Sequence, residues 1–289
     1  METLLQQIAS GVSMGMIYGG VALAFVVVYQ STHHLNFAQG EMATFTTFVA
    51  WWLLGAGWPY WVVLPLTAAL GFALGALVDL AIMRRLPPSS PLATVIVTVG
   101  LLMLFNSASG YLFDYSSRAF PSPFEALLPA TRFLSAHELG TFLVVLILVL
   151  LLYVLFRFTW FGLAMRGAVV NPMSASMVGV SVNAMRTAGW GIAGAIGAVT
   201  GMLVAPIVFL EPNMMMGVLV YGFAASLLGG LANPWGAILG GIIVGVLENL
   251  LGTYVIGTDL KLSVALLTVI VVLLVRPAGL LGRGAVRRM

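Results

Sequence analysis

Nine long apolar runs, separated by more polar junctions, take up about two-thirds of the chain. With approximate ends they are 7–29, 37–56, 60–83, 92–113, 139–160, 187–210, 214–232, 235–256 and 261–276. None alternates polar and apolar positions over about ten residues, as a barrel strand would. A helix crosses a hydrocarbon layer about 30 Å thick with roughly 20 residues, and most of the runs reach that length. Within lipid every backbone N–H and C=O needs a partner inside its own segment, which a helix provides. The pattern predicts an all-α polytopic integral membrane protein with eight or nine transmembrane helices, forming one domain over 1–289. The run at 37–56 reads either as a full crossing or as a re-entrant segment. The longest polar stretch, 114–138, leaves no separate soluble domain. Met1-Glu2-Thr3 lacks the basic region of a cleaved signal peptide, so the first run is expected to be retained.

Composition sharpens this picture. Hydrophobic residues are 61% of the chain and charged residues 7%, against about 25% charged in soluble domains. Such an inventory cannot cover a water-facing surface. The charges it has are sorted: Arg84, Arg85, Arg157, Arg166, Arg186, Arg276, Arg283, Arg287 and Arg288 fall on one side when nine helices are threaded. Arg118, Arg132 and Lys261 fall on the other. Basic loops face the cytoplasm, so the C-terminus is expected inside and 114–138 outside. The N-terminus is outside if 37–56 crosses, and inside if it is re-entrant. The pI near 9.4 reflects this membrane bias and gives no basic surface for nucleic acid.

Several chemistries are excluded. There is no cysteine, hence no disulfide, thiolate zinc site, iron–sulfur cluster or thiol nucleophile. His33, His34 and His137 have no partners at metal-ligand spacing. No G-x-x-x-x-G-K-[ST] phosphate loop occurs, and no nucleophile–base–acid set is visible. The expectation is a non-enzyme that holds no cofactor or metal; if ATP drives it, a second polypeptide binds the nucleotide.

Glycines recur at spacings of four: Gly11, Gly15 and Gly19; Gly71 and Gly75; Gly197 and Gly201; Gly236 and Gly240; Gly241 and Gly245. In lipid such spacing lets helix backbones approach closely, either within one bundle or on a sliding or dimerising face. Three acids, Glu41, Asp79 and Glu248, lie inside apolar runs, where a charge costs roughly 2.5–3.5 kcal/mol on insertion scales. Asp79, one turn from Arg84, reads as a local ion pair. Glu248, beside Asn249 on a glycine-rich helix, reads as a cavity group or a buried hydrogen-bond partner.

Glu41 closes the densest polar set, His33-His34-Leu35-Asn36-Phe37-Ala38-Gln39-Gly40-Glu41. Asn36 can cap a helix starting at Phe37, with an acid favoured in its early turns. Capping does not explain Gln39 and Glu41 so deep in an apolar run. Asn36-Phe37-Ala38-x-Gly40-Glu41, following Ser13-Met14-Gly15-Met16-Ile17-Tyr18, resembles the start of LivH-type permeases, membrane subunits of ATP-binding-cassette importers for branched-chain amino acids. The resemblance continues through Gly162–Arg186, then Leu228-Gly229-Gly230 with Asn233-Pro234-Trp235-Gly236, and the ending Arg276-Pro277-x-Gly279-Leu280-Leu281-Gly282. It covers essentially the whole chain. Departures are Met173, Ser174 and Ser176, where relatives carry an acid, and Gln39, where they most often carry histidine.

The resemblance implies a permease subunit of an amino-acid importer in the bacterial inner membrane. Its partners would be a second permease (LivM-like or identical), cytoplasmic ATPases binding ATP-Mg, and an external solute-binding protein. Candidate pathway residues are Asn36, Gln39, Glu41, Glu248 and Asn249. Segment 161–186 is the expected cytoplasmic coupling loop, with Arg166, Asn171, Pro172, Ser174, Ser176 and Gly179 at the ATPase. Asn171-Pro172 reads as N-cap and first helical residue, and Gly179 as a left-handed C-terminal cap, giving a short helix over about 172–178. The rivals are a urea or short-amide permease of the same type, an ion-coupled secondary transporter using Glu41 or Glu248, and a channel or assembly subunit.

Overall fold

The computed structural model describes residues 2–86, 91–129, 134–231, 233–256, 261–275 and 279–281. The helices are α1 (Glu2–Thr32), α2 (Gln39–Gly55), α3 (Tyr60–Ala81), α4 (Pro91–Phe113), α5 (Ala136–Phe158), α6 (Trp160–Val170), α7 (Pro172–Met177), α8 (Val182–Val208), α9 (Met214–Gly229), α10 (Pro234–Leu251) and α11 (Lys261–Val275). Every apolar run coincides with one of them; α6 and α7 fill the junction between the fifth and sixth runs. Six helices among the described residues (α1, α3, α4, α5, α8 and α10 with its π-helical extension, Gly252–Ile256) are long and apolar enough to cross a membrane. α2, α9 and α11 are shorter, at 17, 16 and 15 residues.

The chain shuttles between two ends. At the basic end Asp79 of α3 meets Arg186 of α8, and the last turn of α1 lies against Gly189. At the far end Arg118 exchanges backbone hydrogen bonds with Leu210, and its guanidinium lies 4.4 Å over the Trp51 ring. α2 starts inside the bundle, with Gln39 beside Gly197, and reaches the far end, where Phe48 stacks on Phe113. It therefore runs on toward the far end and does not turn back. Of the orientation arginines, Arg132, Arg276, Arg283, Arg287 and Arg288 lie outside the described residues, as do Pro277 and Gly282 of the C-terminal motif.

Glycine seams set the packing. Lipid gives apolar faces no reason to separate from it, so close backbone approach supplies the attraction. α1 lies antiparallel on α10, with Gly11, Gly15 and Gly19 facing Val246, Gly241 and Ile238; a β-carbon on Gly15 would stand 2.6 Å from the Gly241 carbonyl oxygen. Gly71 and Gly75 of α3 meet Gly194 and Trp190 of α8 in the same way. Gly229 and Gly236 close the α9–α10 hairpin, whose second helix opens with Asn233 as N-cap and Pro234 in the first turn. These seams are all internal. Gly197 and Gly201 meet no glycine; they leave room for the side chains of Gln39 and Thr47.

The C-terminal motif returns to that hairpin. Leu280 and Leu281 donate their N–H groups to the carbonyls of Leu228 and Gly229, at 2.7 and 3.2 Å. Two motifs distant in sequence thus form one corner.

Candidate functional site

The three acids of the apolar runs are all buried, at 2% exposure for Glu41, 0% for Asp79 and 9% for Glu248. Their surroundings differ. Asp79 accepts from Arg186 Nε at 2.8 Å and from the Thr187 hydroxyl at 2.6 Å. Arg84, the partner expected from the sequence, stands at 3.8 Å and is committed to Thr187 and the Asn183 carbonyl. The expected local pair with Arg84 is therefore present at the longer distance, and the shorter contact with Arg186 adds a tie from α3 to α8 that the sequence did not show.

Glu41 lies in the first turn of α2. Its carboxylate accepts one amide hydrogen bond, from Asn106 of α4 at 3.3 Å. The same amide donates to the Pro212 carbonyl at 3.1 Å and to Asn213 Oδ1 at 2.8 Å. Gly40 packs on Met215 and Leu219. The starts of α2 and α9 therefore meet inside the bundle with Glu41 between them. Both short helices begin there, and their N–H ends favour a negative charge.

Asn36 and Gln39 support this start. Asn36 Oδ1 accepts from the Ala38 N–H at 3.0 Å, forming a turn that delays α2 to Gln39 where the sequence suggested Phe37. Asn36 Nδ2 donates to Gln39 Oε1 at 3.2 Å, and Gln39 Nε2 donates to the Ala193 carbonyl at 2.9 Å. The pair pins α2 to α8. Just outside, burial, then Arg186 and His33, hold the His34 imidazole below its usual range.

Glu248 occupies a second centre between α1, α9 and α10. The Tyr18 hydroxyl donates to it at 2.7 Å, and the Tyr221 ring stacks on that of Tyr18 with centroids 4.7 Å apart. Asn249 points elsewhere: its amide donates to the Gln7 carbonyl at 2.7 Å, joining α10 to α1.

The basic end carries the connector α6–α7. Asn171 Oδ1 accepts from the Ser174 N–H at 3.0 Å, and Pro172 occupies the first turn. Gly179 has φ +86°; its N–H reaches the Ser176 carbonyl, while the Val180 N–H reaches Ala175, at 3.1 and 3.0 Å. That paired closure is the Schellman motif. α7 runs Pro172–Met177, one residue shorter than expected, because Val178 already serves as the C-cap. Only Ala175 of α7 is buried. Arg166 bonds back to the Gly162 carbonyl at 3.2 Å. The segment 161–186 is thus mostly helix, and a cleft of about 160 Å³ separates it from Ser31, Thr32 and His33. Among the described residues no group of three His, Asp or Glu could hold a metal.

Sequence reasoning missed Asn106, Asn213, Tyr18 and Tyr221. Asn106 was legible as the lone amide of an apolar run. Tyr18 was read only as part of the Ser13–Tyr18 motif, and Asn213 and Tyr221 gave no signal until the fold brought them beside the acids.

Six helices long and apolar enough to cross a membrane, internal glycine seams and two short helices starting inside the bundle define a polytopic helical membrane protein. The chain belongs to the family described as branched-chain amino acid transport system / permease component, whose model matches residues 7–275. It is 26% identical to the high-affinity branched-chain amino acid transport system permease LivH of Escherichia coli K12, over 99% of this chain and 97% of that one. It is 28% identical to the BraD permease of Pseudomonas aeruginosa, over 99% and 98%. A probable LivH of Methanocaldococcus jannaschii is also 28% identical, over 91% and 87%.

Proposed function

We propose that the chain is one of two permease subunits of an ATP-driven importer for branched-chain or other small amino acids. ATP and magnesium bind separate cytoplasmic ATPases, and an external binding protein delivers the substrate. The second permease is a homologue or an identical copy. The protein sits in the bacterial inner membrane with the basic end in the cytoplasm, which puts the N-terminus outside and the C-terminus inside. The observation that carries this reading is the family match over nearly the whole chain.

The connector supports it. Six residues are too few to hold a helix unaided in water; α7 holds through its two caps while its sides stay open. Arg166, Asn171, Pro172, Ser174, Ser176 and Gly179 form the ATPase contact, with exposed Met173 and Met177 entering the ATPase groove. Glu41 and Glu248 are the pathway acids, and Asn36, Gln39 and Asn249 hold their helices in place.

Reconstitution tests the assignment. The chain alone should hydrolyse no ATP. With ATPases, second permease and binding protein, vesicles should take up labelled leucine only when ATP is present. Uptake driven by an ion gradient without ATP would favour a secondary transporter, and uptake of urea but not leucine an amide permease. Cysteines at Ser174 or Ser176 should crosslink to the ATPase; free labelling there in the full complex would rule out docking.

A further inference from the structure

The outer surface of the bundle is not uniform. α3 turns Leu66, Phe72 and Leu77 outward, and α5 turns out Leu143, Ile147, Leu150 and Leu151, all side chains suited to lipid. α9 differs. Its open stripe carries Asn213, Met216 and Gly217, exposed, and continues to half-buried Tyr221. Asn213, Gly217 and Tyr221 are four apart and share one face. Around Gly217 there is open space, with no heavy atom within 4 Å of where a β-carbon would stand. Both acid centres touch this stripe: Asn213 shares the Asn106 amide with Glu41, and Tyr221 stacks on Tyr18, whose hydroxyl donates to Glu248. Polar groups at membrane depth face cavities or partners, because hydrocarbon cannot satisfy them.

We propose that this face of α9 lines the water-filled substrate pathway. Glu41 and Glu248, one behind each end of the stripe, give that pathway a negative potential that favours the ammonium end of an amino acid. From residue 213 to residue 221 the helix rises about 12 Å, so the two carboxylates act as successive stations. The proposal rests on the permease reading above and assigns the residues that line the path.

Because the chain has no cysteine, single cysteines report cleanly. Asn213→Cys, Gly217→Cys and Tyr221→Cys would be compared with Leu150→Cys on α5, in membranes holding the complete importer. The probes are a cationic and an anionic membrane-impermeant methanethiosulfonate. All three α9 sites should react and the α5 site should not. At Gly217→Cys, the site with no contact to lose, the cationic reagent should react about tenfold faster. Adding Glu41→Gln or Glu248→Gln should shrink that ratio. No reaction at residue 217 would place α9 against lipid or the second permease and overturn the proposal. Equal rates for both reagents would overturn the role of the carboxylates. A complex that imports substrate with ATP yet fails these tests defeats only this inference; one that labels as expected yet imports nothing defeats the permease reading.

Discussion

Two regions of this bundle each hold a buried acid and a glycine, and treat them in opposite ways. Along the α3–α8 and α1–α10 seams, Asp79 is matched by Arg186 and Thr187, and Gly15 is pressed against the Gly241 backbone. Where α2, α4 and the start of α9 meet, Glu41 accepts one amide hydrogen bond among the described residues, from Asn106 at 3.3 Å, and nearby Gly217 faces open space. A residue type and its burial do not distinguish the two roles. What distinguishes them is how completely the neighbours saturate the group. The saturated acid builds the protein, and the other remains available to something that is not part of the chain.

The sharpest way to break this comparison is Asp79→Ala. It leaves the Arg186 charge without its partner between α3 and α8, and breaking a buried pair costs about 3–5 kcal/mol. The variant should accumulate poorly and melt well below the parent in detergent; normal stability would mean that Asp79 is as dispensable as a surface acid. Next, Gly15→Val should overpack the α1–α10 seam, at about 1–3 kcal/mol, while Gly217→Ala should be neutral or gain up to about 1 kcal/mol of helix propensity. Equal melting shifts for the two would erase the contrast between sealed and open glycines.

Glu41→Gln keeps shape and removes charge. It should lower transport by roughly tenfold, about 1.4 kcal/mol, with little change in protein yield. A parallel loss of both would move Glu41 to the structural side.

The smallest effect concerns His34. Its folded pKa lies below the ordinary value because burial, then Arg186 and His33, disfavour the cation. Stability is therefore complete above the unfolded pKa of about 6.5 and declines as pH falls below it. The melting temperature should drop slightly between pH 7 and pH 5.5, and His34→Gln should flatten that slope.

Much of this was legible in the sequence, for identifiable reasons. Helix positions follow from runs of twenty apolar residues, because lipid permits little else. The α7 caps could be read from Asn171, Pro172 and Gly179, since those residues act on their own neighbours. The glycine spacing announced close packing, but which seams pair is a matter of tertiary arrangement. The Asp79–Arg186 pair and the Glu41–Asn106–Asn213 set join residues far apart in the chain, and nothing local marks which residue meets which. Gln39 shows the intermediate case: its oddity in an apolar run was visible, while its use as a clamp on the Ala193 carbonyl needed Gly197 beside it.

The capped connector has a mechanical consequence. α7 passes through a four-residue joint, Val178 to Ser181, into α8, a 27-residue rod about 40 Å long. That rod is zipped to α3 by glycine contacts, and α1 is zipped to α10 in turn. A force applied at α7 has little compliance to stretch along this path. Under the proposed ATPase contact, such a force would be delivered as displacement of a stiff block, like a crank turning a shaft, and the open side of α9 around Gly217 would be the place to take up the motion.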